Sequence, residues 1–142
     1  MKNTLRNSLF AVAAVLATGA TVYAQDSSNC VAHVPFAYHA GNTTLAAGTY
    51  SVTTIGAQNA VLQIRNQESR ESIALMAPHN MQATDGASKL VFRRYGDQYF
   101  LAQIWTAAGG RVLKTSKFEK EMRASVQNPA ETSLVAVLIS PR

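Results

Sequence analysis

Three histidines (His33, His39 and His79), one cysteine (Cys30) and eight scattered carboxylates are the side chains through which this chain could do chemistry. Metal binding is the first use to weigh. His33 and His39 share strand parity, but six residues at about 3.3 Å each separate them by roughly 20 Å along a continuous strand, too far for one coordination sphere. Only a reversal near Pro35 or Gly41 would bring them together, and no second cysteine or acidic cluster stands nearby. Cys30 and His33, three apart, point to opposite faces of a strand, and no serine sits in a G-x-S-x-G turn. The acids Asp26, Glu68, Glu71, Asp85, Asp97, Glu119, Glu121 and Glu131 fall mostly in turns, at strand ends or on a helix surface, so no carboxylate pair is recognisable by spacing. Phosphate loops and dinucleotide fingerprints are absent. The residues therefore imply no metal, no cofactor and no catalytic constellation.

The most patterned stretch is LVFRRYGDQYFLAQIW, Leu90 to Trp105. Gly96 and Asp97 suit the centre of a two-residue type II′ turn, with the positive φ at the glycine. The hairpin register that follows sets Tyr95 opposite Gln98, Arg94 opposite Tyr99, Arg93 opposite Phe100, Phe92 opposite Leu101 and Val91 opposite Ala102. Leu90, Phe92, Tyr99, Leu101 and Trp105 then share one face, and Val91, Arg93, Phe100, Ala102 and Ile104 the other. With both faces partly apolar, the pair is expected to be central. Two readings compete. Asp97 is explained by the turn and Arg94 opposite Tyr99 by an ordinary cross-strand pair; alternatively Arg93, Arg94, Tyr95, Tyr99 and Trp105 form a ligand-binding patch. On the first reading Arg93→Ala is expected to be tolerated.

These residues need elements to hold them, and the period of the apolar positions supplies eight strands. They are 31–38, 49–55, 60–66, 71–77, 89–95, 98–105, 111–114 and 133–139, separated by glycine, asparagine and proline turns. One segment departs from the pattern. In SKFEKEMRASV, Ser116 and Glu119 have capping-box spacing, Phe118, Met122 and Val126 recur in steps of four, and Lys117 with Glu121 and Glu119 with Arg123 can pair. The expected fold is all-β, one small antiparallel sandwich or barrel of about eight strands with a short amphipathic helix near the C-terminus.

The first two dozen residues have the layout of a secretory signal peptide: Lys2 and Arg6, an apolar run from Leu9 to Ala17, then small residues up to Val22-Tyr23-Ala24. Cleavage after Ala24 would release a chain of 118 residues, 25–142, expected to be one exported domain, periplasmic or secreted, with no transmembrane helix. Loss of Lys2 and Arg6 leaves 11 basic and 8 acidic side chains, so the formal charge falls from +5 to +3. That dispersed excess argues against nucleic acid as a partner. Cys30 has no intramolecular partner and allows a disulfide dimer.

Four segments carry a resemblance. Val34 to Phe36, Leu45 to Tyr50, Phe92 to Leu101 and Ser116 to Lys120 resemble the V-P-F-x-F, L-P-A-G-x-Y, F-x-R-Y-G-D-x-Y-F-L and S-x-x-E-K motifs of a family of small exported acidobacterial proteins of unknown function. The chain departs from the pattern with Tyr38 in place of Phe and Ala46 in place of Pro. The resemblance implies export and a β fold and brings no catalytic residue. In AAGTYSV, Gly48 relieves a bend and Tyr50 packs over it, a structural role.

The functional expectation is a non-catalytic exported β module with a structural or macromolecule-binding role at the cell envelope. The alternative is a small-ligand or glycan-binding barrel or sandwich using an aromatic patch that includes Tyr95, Tyr99 and Trp105; exposed contiguous rings would favour it and buried rings the first.

Overall fold

The computed structural model describes residues 29–55, 61–77, 79–82, 88–106, 109–127 and 132–141. The expected signal peptide and its cleavage site lie outside the described residues. The strands are β1 (Cys30–Val34), β2 (Tyr38–Ala40), β3 (Thr43–Leu45), β4 (Gly48–Ile55), β5 (Val61–Asn66), β6 (Ser72–Met76), β7 (His79–Met81), β8 (Lys89–Tyr95), β9 (Gln98–Thr106), β10 (Gly109–Val112) and β11 (Thr132–Pro141). A single described helix, α1 (Lys117–Ser125), precedes β11.

Hydrogen bonding orders the strands β3-β2-β9-β8-β11-β1-β4-β5-β6, with β10 joined to β9 and β7 to β10. Because β7 follows β6 along the chain, this last link brings the path back on itself, and the sheet is nearly closed into a barrel. Arg111 adds a tie between β10 and the end of β6, its Nη1 donating to the carbonyl of Ala77 at 3.1 Å. Closure matters because an open edge exposes unpaired amides and carbonyls. All pairings are antiparallel except the short parallel contact of β2 with β9, His39 opposite Phe100.

The fold is all-β as expected, but with eleven strands among the described residues instead of about eight. VAHVPFAY does not run as one strand from 31 to 38. Pro35 has no N–H to give to a ladder, so β1 stops at Val34 and stays between β11 and β4, while β2 resumes at Tyr38 against β3 and β9. Residues 79–81, expected to be a turn, form β7, and β3 was hidden in the turn-rich run before Tyr50. β10 begins at Gly109, two residues ahead of its expected start. Gly110 is tolerated in that strand because Trp105 lies flat across it; a Cβ there would come within 2.6 Å of the indole ring.

The barrel interior collects alternate residues from most walls, Ala32 and Val34, Tyr38 and Ala40, Tyr50 and Val52, Leu62 and Ile64, Leu90 and Phe92, and from β9, across an irregularity in its ladder, Leu101 and Ile104. Burying such aliphatic and aromatic side chains contributes about 1.5–3 kcal/mol each. Tyr50 hydrogen-bonds the carbonyl of Ala46 at 2.5 Å, which closes the turn over which its ring packs. Cys30 is buried in the same core, 3% exposed, and burial pushes its thiol pKa up. A thiol so placed is neither accessible nor activated, so the disulfide dimer that the sequence allows has no support in this geometry. No described helix is long and apolar enough to cross a membrane.

Candidate functional site

The hairpin of β8 and β9 forms in the expected register from Tyr95–Gln98 to Phe92–Leu101, and Gly96 has φ +59° while Asp97 stays at negative φ, as a type II′ turn requires. Beyond Phe92 the register changes. A β-bulge between Val91 and Phe92 sets Val91 opposite Gln103 instead of Ala102. The extra residue reverses parity: Ile104 turns into the core with Leu90, and Trp105 turns to the outer face opposite Lys89. The expected sides of Ile104 and Trp105 are thus exchanged.

This geometry distributes the five sequence-proposed ligand residues over three places. Arg93 and Tyr95 face outward beneath α1. Arg94 and Tyr99 form a local pair at the hairpin end: the guanidinium lies 5.6 Å from the Tyr99 ring centre, and its Nε donates to the carbonyl of Gly96 at 2.6 Å. Tyr99 stacks on Phe36 with 3.9 Å between ring centres. Trp105 stands apart, its Nε1 donating to Gln103 Oε1 at 2.9 Å, with the Lys89 ammonium 5.9 Å from its ring centre. They do not form one contiguous exposed surface.

The outer face of β8 and β9 is instead a second, partly polar core. α1 starts where the sequence implies, with Ser116 as N-cap accepting from the Glu119 amide at 3.1 Å. Glu119 does not return the favour to complete a capping box, nor does it pair with Arg123. It is 3% exposed, and its Oε1 lies 2.8 Å from Arg93 Nε, an ion pair whose N–H is not aligned as a hydrogen bond, and 3.3 Å from the Tyr95 hydroxyl that donates to it. Burial, followed by the neighbouring carboxylate, raises the Tyr95 pKa. Lys117 and Glu121 pair loosely at 3.9 Å as expected. Arg93 is therefore a fold residue with a buried partner, not the tolerant surface position implied by the hairpin alone.

His39 belongs to this face too. Its ring stacks on Phe100 at 4.7 Å and meets Phe118 edge-on at 5.1 Å. Nε2 donates to Gln98 Oε1 at 2.8 Å and Nδ1 accepts from the Thr44 hydroxyl at 3.0 Å, the tautomer that satisfies both partners. The hollow beside it, about 520 Å³ between Asn42, Thr44, Phe118 and Glu121, thus has no unsatisfied ring nitrogen. His33 lies on the exposed side of β1 within 3.3 Å of the Thr49 hydroxyl. The side chain of His79 is outside the described ones, and no group of three or more described His, Cys, Asp or Glu residues is placed to hold a metal ion.

The remaining concavity is of a different kind. On the opposite wall, the strict alternation of β4 and β5 turns Tyr50, Val52, Leu62 and Ile64 inward and Ser51, Thr53, Gln63 and Arg65 outward. With Asn29, Gln67 and Arg70 they line a groove of about 450 Å³. Its floor is fixed by ladder pairing, Ser51 opposite Arg65 and Thr53 opposite Gln63. Thr53 donates to Asn29 Oδ1 at 3.3 Å.

The turn after β5 closes one end of the groove and is tightly specified. The Asn66 carboxamide accepts from the amides of Glu68 and Ser69 at 2.8 and 3.0 Å, its backbone amide donates to Glu71 O, and Arg70 N donates back to Asn66 O. This forces Arg70 to φ +63°, the one described non-glycine residue in the left-handed region. Neither Arg65 nor Arg70 has a described carboxylate within ion-pair distance, and no acidic side chain lines the groove. Two arginines thus line a concave surface with amides and hydroxyls that can both donate and accept.

None of these seven residues stands out by type in the sequence. The usable signal was the alternation in TYSVTTI and VLQIRN, which assigns the polar outer set before any pairing is known. Compared with family models, curated proteins and solved structures, the chain matches none. The class it defines rests on its own geometry: a nearly closed antiparallel-dominated barrel with one outer helix clamped by a buried ion pair and a basic, polar groove on the far wall.

Proposed function

We propose that this protein is an exported, non-catalytic β module that binds a macromolecule of the cell envelope, and that the groove across β4, β5 and the β5–β6 turn is its binding surface. The observation that carries the reading is the pair Arg65 and Arg70, unpaired among the described residues in a polar hollow of about 450 Å³. A cation on a fold's surface is commonly offset by a neighbouring acid; here the only acids close in sequence, Glu68 and Glu71, stay outside the lining. The leader layout and the resemblance to small exported acidobacterial proteins support the compartment. Burial of Tyr95 and the packing of Tyr99 on Phe36 favour this reading over a barrel that binds a glycan through those rings.

The test is co-sedimentation of the purified protein with purified cell-wall sacculi and, separately, with outer-membrane vesicles, beside Ser51→Trp, which fills the groove from the centre of β4. Binding to either fraction by the parent chain and its loss in Ser51→Trp is expected. Equal binding by both proteins would move the surface elsewhere, and binding by neither would remove the reading altogether.

A further inference from the structure

The groove's chemistry narrows what it can take. Resting on the reading of this groove as a binding surface, we infer that its ligand is an acidic sugar unit, its carboxylate or phosphate held between Arg65 and Arg70 and its hydroxyls read by Asn29, Gln63 and Gln67.

The first support is the composition of the lining. Asn29, Gln63 and Gln67 each offer a carbonyl oxygen and an NH₂, and Ser51 and Thr53 a hydroxyl, so the surface can both donate to and accept from sugar hydroxyls. No aromatic ring lines it, which leaves polar readout as the means of recognition. The guanidinium fork matches a planar carboxylate or a phosphate edge in a way that an ammonium does not. The absence of any acidic side chain in the lining removes the competitor that would otherwise neutralise the arginines.

The second support is independent and lies in the backbone. Arg70 occupies a left-handed conformation that glycine or asparagine would adopt at lower cost, and its side chain makes no described contact that the fold needs. The turn itself is already closed by Asn66 through four hydrogen bonds. An arginine held at a strained position, lining a groove and with no described partner, is accounted for by an anion that it meets from outside.

The chemistry has two sources, a uronic acid or a sugar phosphate, and two probe pairs separate them. Titration of the purified protein with oligogalacturonate and with its methyl ester tests the carboxylate; glucose 6-phosphate against glucose tests the phosphate. At least one charged probe is expected to bind about tenfold or more tightly than its neutral counterpart, with affinity falling as salt rises. Arg70→Gly, which suits the backbone and removes the side chain with its guanidinium, and Arg65→Ala should each reduce that affinity about tenfold. Arg65→Lys should recover only part of the loss, because it restores the charge without the fork.

Neutral and charged probes binding alike, with both arginine variants unaffected, would overturn the inference while leaving the groove reading to stand if Ser51→Trp still abolishes sedimentation. Failure of both charged probes to bind overturns it as well. Binding of a charged probe that survives Ser51→Trp would place the anion elsewhere and overturn the inference, while the groove reading would still be decided by sedimentation.

Discussion

Two walls of the same barrel turn an arginine outward, and the molecule treats them in opposite ways. On β8, Arg93 is covered by α1 and sits 2.8 Å from a carboxylate that is 3% exposed. On β5, Arg65 is exposed, and no described acid neutralises it. The strand alternation that places them is identical, so residue type and parity do not separate structural from available cations. What separates them is the third layer: a helix brought Glu119 to one wall, and no described element covers the groove on the other. The comparison can be broken by any measurement that shows Arg93 dispensable or Arg65 needed for folding.

The largest effect is expected at Arg93. Arg93→Ala leaves the Glu119 carboxylate buried with only the Tyr95 hydroxyl, and removing one member of a buried pair is strongly destabilising. Because the Arg93 side chain is 28% exposed, water softens the loss, and we expect about 2–3 kcal/mol by denaturant unfolding. Combining it with Glu119→Gln, which removes the stranded charge and keeps an acceptor for Tyr95, should restore part of that. A double variant no better than the single would mean that the charge is not what α1 is docked by.

Alkaline unfolding sharpens the same contrast. Tyr95 has a pKa raised by burial and then by Glu119, and that of Tyr38, whose buried hydroxyl has no described partner, is raised by burial and then by Tyr50. The folded state holds these protons after the unfolded chain has released them, so their contribution is complete below about pH 10 and is lost as pH rises through the folded values. Tyr95→Phe should remove the share of this decline that belongs to the α1 wall, and Tyr38→Phe the share of the interior. Unfolding curves whose pH slope above 10 is unchanged in both variants would contradict the burial assigned to them.

A smaller effect is expected at the start of the helix. Ser116→Ala removes the acceptor for the Glu119 amide and should cost about 1 kcal/mol. Glu119 does not complete the reciprocal half of a capping box, so Glu119→Gln should not add a capping loss of its own. Additive losses in Ser116→Ala and Arg93→Ala would show that cap and clamp act separately on α1.

How much of this was legible in the sequence follows the range of the interactions. The turn at Gly96, the register up to Phe92 and the Ser116 cap are local, and each could be read from a few neighbouring residues. The bulge beyond Phe92 was not, because nothing in AQIW marks which residue the ladder will skip, and that one step exchanged Ile104 with Trp105. Pro35 did signal the end of β1, since a proline within a strand-like run demotes it, yet reading the run as continuous hid the passage from one wall to the other. Glu119 was assigned to a cap and to Arg123 because helical spacing shows only partners on the same helix. The groove residues were legible as a polar face; that Arg70 would be held in a left-handed turn was not, since an Asx turn at Asn66 has to form first.

On the bare wall the expected effects are small and, at Arg70, of opposite sign. Arg70→Gly relieves a positive φ that is unfavourable for a residue with a Cβ and should stabilise the fold by about 1 kcal/mol. A loss instead would mean that the arginine side chain supports the turn, and its claim to be available would fail.

The smallest change in stability is expected at Arg65. Its side chain is exposed on the outer face of β5, and beside the β4–β5 ladder the described hydrogen bond at this position uses its backbone carbonyl, accepting weakly from Ser51 Oγ at 3.4 Å. Truncation removes neither that acceptor nor the ladder opposite Ser51, so Arg65→Ala should stay within about 0.5 kcal/mol of the parent chain in denaturant unfolding. Set beside Arg93→Ala, this makes a paired measurement on two outward arginines of one barrel, one expected to carry folding and the other expected to leave it untouched. Equal losses from both would erase the distinction between the walls, and with it the reason to look for a ligand on the uncovered one.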